Sequence, residues 1–122
     1  TQEGKNLPVS HCIKGTEGWQ LDSALQGLIL ENHFFEKPGF GSLELANAMK
    51  ALYQESTGKG QDFSIEFVGL CTDICVVSNA LLLKAFLPEV PLSVDSRCCA
   101  GVTKEKHEAA LETLRSCQVK VL

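Results

Sequence analysis

The chain has 122 residues, 44% of them hydrophobic and 21% charged, with a net charge of −4. That is enough for one globular domain with a real core, though short for a complete α/β enzyme. The negative balance and the lack of a Lys/Arg cluster argue against nucleic acid or an anionic membrane as partner. No apolar run approaches the length needed to span a bilayer.

Residues 1–18 are polar and punctuated by Gly4, Pro8, Gly15 and Gly18, a loop signature. Trp19–Leu25 reads as a short helix or turn. Residues 28–35, with Leu28-Ile-Leu and Phe34-Phe35, predict a strand stopped by Pro38-Gly39. Ser42 is placed to cap a helix from Leu43 to about Gln54, with Leu45, Ala48, Met49 and Leu52 on one face. Gly58-Lys-Gly60 is a turn, and residues 64–70 predict a buried parallel strand. Thr72 or Asp73 then caps a helix running to about Phe86, where Pro88 ends it. Leu92–Asp95 predicts a short strand, followed by a loop carrying Cys98, Cys99 and Gly101. Thr103 caps a last helix with His107, Ala110, Leu111 and Leu114 on one side, and residues 119–122 predict a final strand.

Alternating strands and helices define an α/β fold with a parallel sheet, a single domain over residues 1–122. In open sheets of this kind ligands bind at the carboxyl ends of the strands. Lys37, Cys75 and Cys98 all follow predicted strand ends.

Cys75 carries the strongest chemical signal. It falls just past the strand, in the first turn of the following helix, where backbone N–H groups and the helix dipole favour thiolate over thiol. The same N–H groups can hold an oxyanion once that thiolate attacks a carbonyl. A buried cysteine acting as a small hydrophobe is the plainer reading. Lys37 can be a solvated surface charge or, at a sheet rim, a cation that lowers a thiol pKa. His11 alone makes a weak metal ligand, because nothing nearby in sequence completes a site. Cys71 and Cys75 form a C-x-x-x-C pair that could serve redox or zinc binding. The six cysteines lie in strand-like and helical surroundings, which suggests reduced thiols in the cytoplasm rather than a disulfide scaffold.

Three segments together resemble the isochorismatase-like cysteine hydrolases, and nicotinamidases (pyrazinamidases) most of all. They are Gly69-Leu-Cys-Thr-Asp-Ile-Cys75-Val, His11-Cys-Ile-Lys-Gly-Thr16-Glu-Gly18, and Phe35-Glu-Lys37-Pro with Phe40-Gly-Ser. The resemblance implies a three-layer α/β/α fold of Rossmann-like type with strand order 3-2-1-4-5-6. It implies that Cys75 attacks an amide carbonyl to form a thioester and that Lys37 supports the thiolate. The backbone N–H groups of Cys71 and Cys75 would form the oxyanion hole, next to a cis Leu70–Cys71 peptide. His11 would be one ligand of a divalent metal, with zinc the first expectation and iron or manganese as alternatives. Phe40 and Trp19 would contact the substrate ring.

The family's general-base Asp and its Asp-x-His metal segment have no counterpart here. The resemblance therefore implies the C-terminal two-thirds of a longer enzyme, lacking the first two strands and inactive as it stands. The activity implied is hydrolysis of nicotinamide to nicotinate and ammonia, in NAD salvage. A different small amide or carbamoyl substrate is the alternative, and a non-catalytic module of the same fold is a second. The expected partner is a small-molecule amide, with homo-oligomer formation left open.

Overall fold

Three parallel strands, β1 (Ile65–Leu70), β2 (Leu92–Ala100) and β3 (Lys120–Val121), lie in the order β1-β2-β3. They come from a computed structural model that describes residues 1–30 and 33–122. Helix α3 (Val77–Phe86) connects β1 to β2, and α4 (Lys104–Ser116) connects β2 to β3. Sequential order with right-handed crossovers puts both helices on one face of the sheet, and α3 and α4 do touch each other. The α/β class and the parallel sheet are as the sequence predicts.

Burial along β1 alternates. Ile65 and Phe67 turn toward the core, whereas Val68 is 57% and Leu70 is 70% exposed on the other face. The core is built from Val76, Ala80, Leu83 and Leu87 around α3, Val90, Leu92 and Val94 along β2, and Leu111, Leu114 and Val119 from α4 onward. Truncating a fully buried leucine such as Leu83 or Leu114 to alanine should cost about 2–5 kcal/mol.

Helix α2 (Leu43–Gly58) begins where the sequence places it, with Ser42 Oγ accepting from the Leu45 amide at 3.1 Å. It runs four residues past the expected end, and its last turn carries a Glu55–Lys59 ion pair and a Thr57 hydroxyl donating to the Tyr53 carbonyl. Its inward face is rotated from the expected one. Ala46 is buried with Met49 and Tyr53 beside the core, and Leu52 is 41% exposed. Thr103 caps α4 by accepting from the Lys106 amide, as expected.

Strand β2 is longer than the four residues predicted, because it pairs with β1 in two segments. Ile65, Glu66 and Phe67 pair with Leu92, Ser93 and Val94; Gly69 and Leu70 then pair with Cys99 and Ala100. The extra β2 residues between the segments bulge out around Asp95, which accepts from the Arg97 amide and binds its guanidinium with both carboxylate oxygens. The Cys98-Cys99-Ala stretch is thus strand, not loop. Gly69, which pairs with Cys99 just past the bulge, has φ +118°, a backbone conformation that L side chains rarely adopt.

The chain forms two compact units, Thr1–Gly39 and Phe40–Leu122, and all the elements above belong to the second. In the first, α1 (Gln2–Asn6) replaces part of the expected loop, because Thr1 Oγ1 accepts from the Gly4 amide. A 3-10 turn at Glu17–Trp19 and turns around Asp22–Leu28 occupy the region read as a short helix or turn. The strand expected over 28–35 does not form at 28–30 or 33–35, and residues 31–32 lie outside the described residues. Leu28 is 76% exposed, and among the described residues no strand pairs with this segment. No described residue of this unit is buried.

Candidate active site

At the carboxyl end of β1 the Leu70–Cys71 peptide is cis, as the family resemblance implies. The chain then enters a π-helical turn, Thr72–Val76, that carries Cys75 and leads directly into α3. The sequence predicts helix here but not this wider turn. The Cys71 carbonyl accepts from both the Ile74 and Val76 amides at 3.1 Å, and the bond from Val76 spans five residues.

Side chains from three directions hold the turn. Thr72 is fully buried, and its Oγ1 shares a 2.8 Å hydrogen bond with His107 Nδ1 on α4. Asp73 Oδ1 accepts from the Val102 amide at 3.0 Å, tying the turn to the loop after β2. Gly101 lies so close that a β-carbon there would sit 2.8 Å from the His107 nitrogen and 2.9 Å from Asp73 Oδ1. Asn79 is buried one turn beyond Cys75. Its Nδ2 donates to the Cys75 carbonyl at 2.8 Å and to the Phe40 carbonyl at 2.9 Å, and its Oδ1 accepts from the Ser42 amide at 2.9 Å.

Two cysteines near the turn feel their burial. Burial pushes the Cys71 thiol above its ordinary value, and negative charge at Asp73 and Cys75 adds to the effect. Burial also pushes up Cys99, against an opposing hydrogen bond from the Gly69 amide. Both thiols are therefore held protonated near neutral pH, which makes them poor nucleophiles. None of the six cysteines is in a disulfide, and Cys75 is half-buried.

Phe40, Cys71 and Cys75 thus come together in one unit. His11, Trp19 and Lys37 belong to the other. The exposed Lys37 donates from Nζ to the Gly39 carbonyl at 3.0 Å. Trp19 closes the 3-10 turn and is partly exposed. His11 Nδ1 donates to the Val9 carbonyl at 2.9 Å, which leaves Nε2 as the ring atom that could ligate an ion. One histidine does not make a site, however, and among the described residues no three His, Cys, Asp or Glu side chains gather to hold an ion. The residues present therefore do not fit a metal by themselves.

Sequence context does not mark Thr72, His107, Gly101 or Asn79 as functional. The signal for Asn79 is a polar side chain in a mostly apolar helix, four residues after Cys75.

A half-buried cysteine in a tethered turn at the carboxyl end of a parallel strand defines an α/β domain of the kind that supports nucleophilic chemistry. The chain belongs to the isochorismatase domain family, which it matches over residues 1–122. Among solved structures it is similar to a nicotinamidase from Bacillus subtilis, with 26% identity, a TM-score of 0.67 and coverage of 93% of this chain and 62% of that one. A pyrazinamidase/nicotinamidase from Streptococcus mutans UA159 matches with 24% identity and a TM-score of 0.75, over 98% of this chain and 66% of that one. A pyrazinamidase of Pyrococcus horikoshii in complex with zinc matches with 21% identity and a TM-score of 0.67, over 93% and 61%. The chain thus spans less than two-thirds of the length of each. No curated protein is matched by sequence.

Proposed function

We propose that this chain is the nucleophile-bearing part of an amidohydrolase that converts nicotinamide to nicotinate and ammonia. The observation that carries the reading is Cys75 in its tethered turn at the carboxyl end of β1. Family membership and 26% identity to a nicotinamidase support it.

In this reading the Cys75 thiolate adds to the amide carbonyl carbon. The tetrahedral oxyanion is held by the backbone amides of Cys71 and Cys75. The C–N bond breaks as the nitrogen takes a proton and leaves as ammonia. Water then adds to the thioester, the C–S bond breaks, and the acid and the thiolate are released. Lys37 supports the thiolate, and Phe40 and Trp19 contact the ring. In this reading the acid–base group and two further ligands for a divalent cation (zinc, or else iron or manganese) lie outside these 122 residues, with His11 as one ligand. The setting proposed is cytoplasmic NAD salvage; among the described residues no helix is long and apolar enough to cross a membrane.

The test is ammonia release from nicotinamide by the full-length protein, together with trapping of an acyl adduct on Cys75. Release from another small amide but not from nicotinamide would favour the alternative substrate. Turnover that survives Cys75→Ala would sink the mechanism.

A further inference from the structure

We propose that Asn79 is a positioning residue, setting the distance between the nucleophile and the substrate-facing loop through one side-chain amide. The inference rests on the reading above, in which Cys75 attacks and Phe40 contacts the ring. It is carried by geometry within a single unit. The two Nδ2 protons of Asn79 go to the backbone carbonyls of Cys75 and Phe40, at 2.8 and 2.9 Å. Its Oδ1 takes the amide of Ser42, the residue that caps α2, at 2.9 Å.

The bond to Cys75 reaches back four residues, from α3 into the π-helical turn before it. A side chain that donates to such a carbonyl competes with the regular helical bond and bends the backbone there. Cys75 lies within the π-wide turn, whose five-residue bond runs from the Val76 amide to the Cys71 carbonyl, and such turns recur at functional sites. The same amide holds the start of the Phe40-Gly41-Ser42 segment. Both carbonyls are therefore spaced by one rigid planar group.

Only an amide of this length makes all three bonds. Aspartate has the same shape and can still accept from Ser42, but it has no donor and would set a carboxylate against two carbonyl oxygens. Serine is too short to span the two carbonyls.

The experiment compares wild-type, Asn79→Asp and Asn79→Ser full-length protein. It reads kcat and KM on nicotinamide and the rate of iodoacetamide alkylation at Cys75 against the exposed Cys98 in the same sample. In variants with wild-type circular dichroism, kcat falls roughly 100-fold, the scale of a small misplacement. KM rises as Phe40 is released, and Cys75 alkylation slows while Cys98 alkylation stays constant. A folded Asn79→Asp with unchanged kcat, KM and Cys75 alkylation overturns the inference. Should neither variant fold, the wild type decides. The Asn79 side-chain amide protons must exchange with solvent far more slowly than those of the exposed Asn6, and equal rates overturn the clamp. The two readings fail separately. A wild type without nicotinamide turnover, whose Cys75 alkylation still depends on Asn79, refutes the reaction and supports the clamp.

Discussion

Thr72 Oγ1 lies 2.8 Å from His107 Nδ1 and is fully buried, so the first residue of the cysteine turn is bonded to the first turn of α4. These residues are 35 positions apart in sequence. The bond joins the two βα connections that follow β1 and β2. It makes the position of the Cys75 turn depend on how α4 is seated.

Replacing Thr72 with valine keeps the volume and removes the hydroxyl. The His107 nitrogen is then left without its partner in a half-buried position. We expect a loss of about 1–3 kcal/mol of stability, read as a lower urea midpoint at unchanged m-value. A midpoint equal to wild type would mean that the bond adds nothing to stability.

The caps show what the sequence made legible. Ser42 and Thr103 each stand before an amphipathic run, and each side chain accepts from the amide three residues on. Local chemistry decides such features, so local reading finds them. The second half of β2 is different. Cys98 to Ala100 belong to the strand only because Gly69 and Leu70 pair with Cys99 and Ala100 beyond a bulge, and no local pattern encodes that register. The Cys75 turn stands between these cases. The residue and its strand end are legible, but the turn is tethered by Thr72, Asp73 and Asn79 through partners far along the chain. The strand expected over 28–35 had the right composition and found no ladder among the described residues.

The raised thiols give a pH prediction with a definite sign. Cys71 and Cys99 titrate above their ordinary value of 9.0 in the folded chain, chiefly because burial penalises the thiolate. Between the unfolded and folded values the native state binds more protons, so stability falls as pH rises. Their contribution is complete below about pH 9 and is lost above it. Urea midpoints from pH 7 to 11 should decline more steeply for wild type than for the Cys71→Ser, Cys99→Ser double variant. Parallel curves would show that these thiols do not shift on folding.

Lys37 tests the proposed chemistry from the other unit. If its ammonium supports the Cys75 thiolate, Lys37→Ala in the full-length protein lowers kcat by about 100-fold or more, on the scale of losing one preorganised electrostatic group. Since Lys37 is exposed and bonds to the nearby Gly39 carbonyl, the melting temperature should hardly move. Loss of activity together with a large drop in melting temperature would instead assign Lys37 a structural role.

Gly101 provides the sharpest steric prediction. A β-carbon there would meet the His107 backbone at 2.8 Å for nitrogen and 3.0 Å for Cα, with Asp73 Oδ1 at 2.9 Å. Two of those three neighbours are main chain within a helix, so they cannot rotate away as a long side chain could. Gly101→Ala must push α4 from the cysteine turn or break the Asp73–Val102 bond. A loss of about 1–3 kcal/mol follows from such overpacking. It should come with slower Cys75 alkylation, since both contacts anchor the turn that carries it. Gly58→Ala is the control. A β-carbon there meets nothing within 4 Å, and the residue ends α2, far in sequence from the turn. Equal stability of the Gly101→Ala and Gly58→Ala variants would mean that the close approach of α4 to the turn is not maintained in solution.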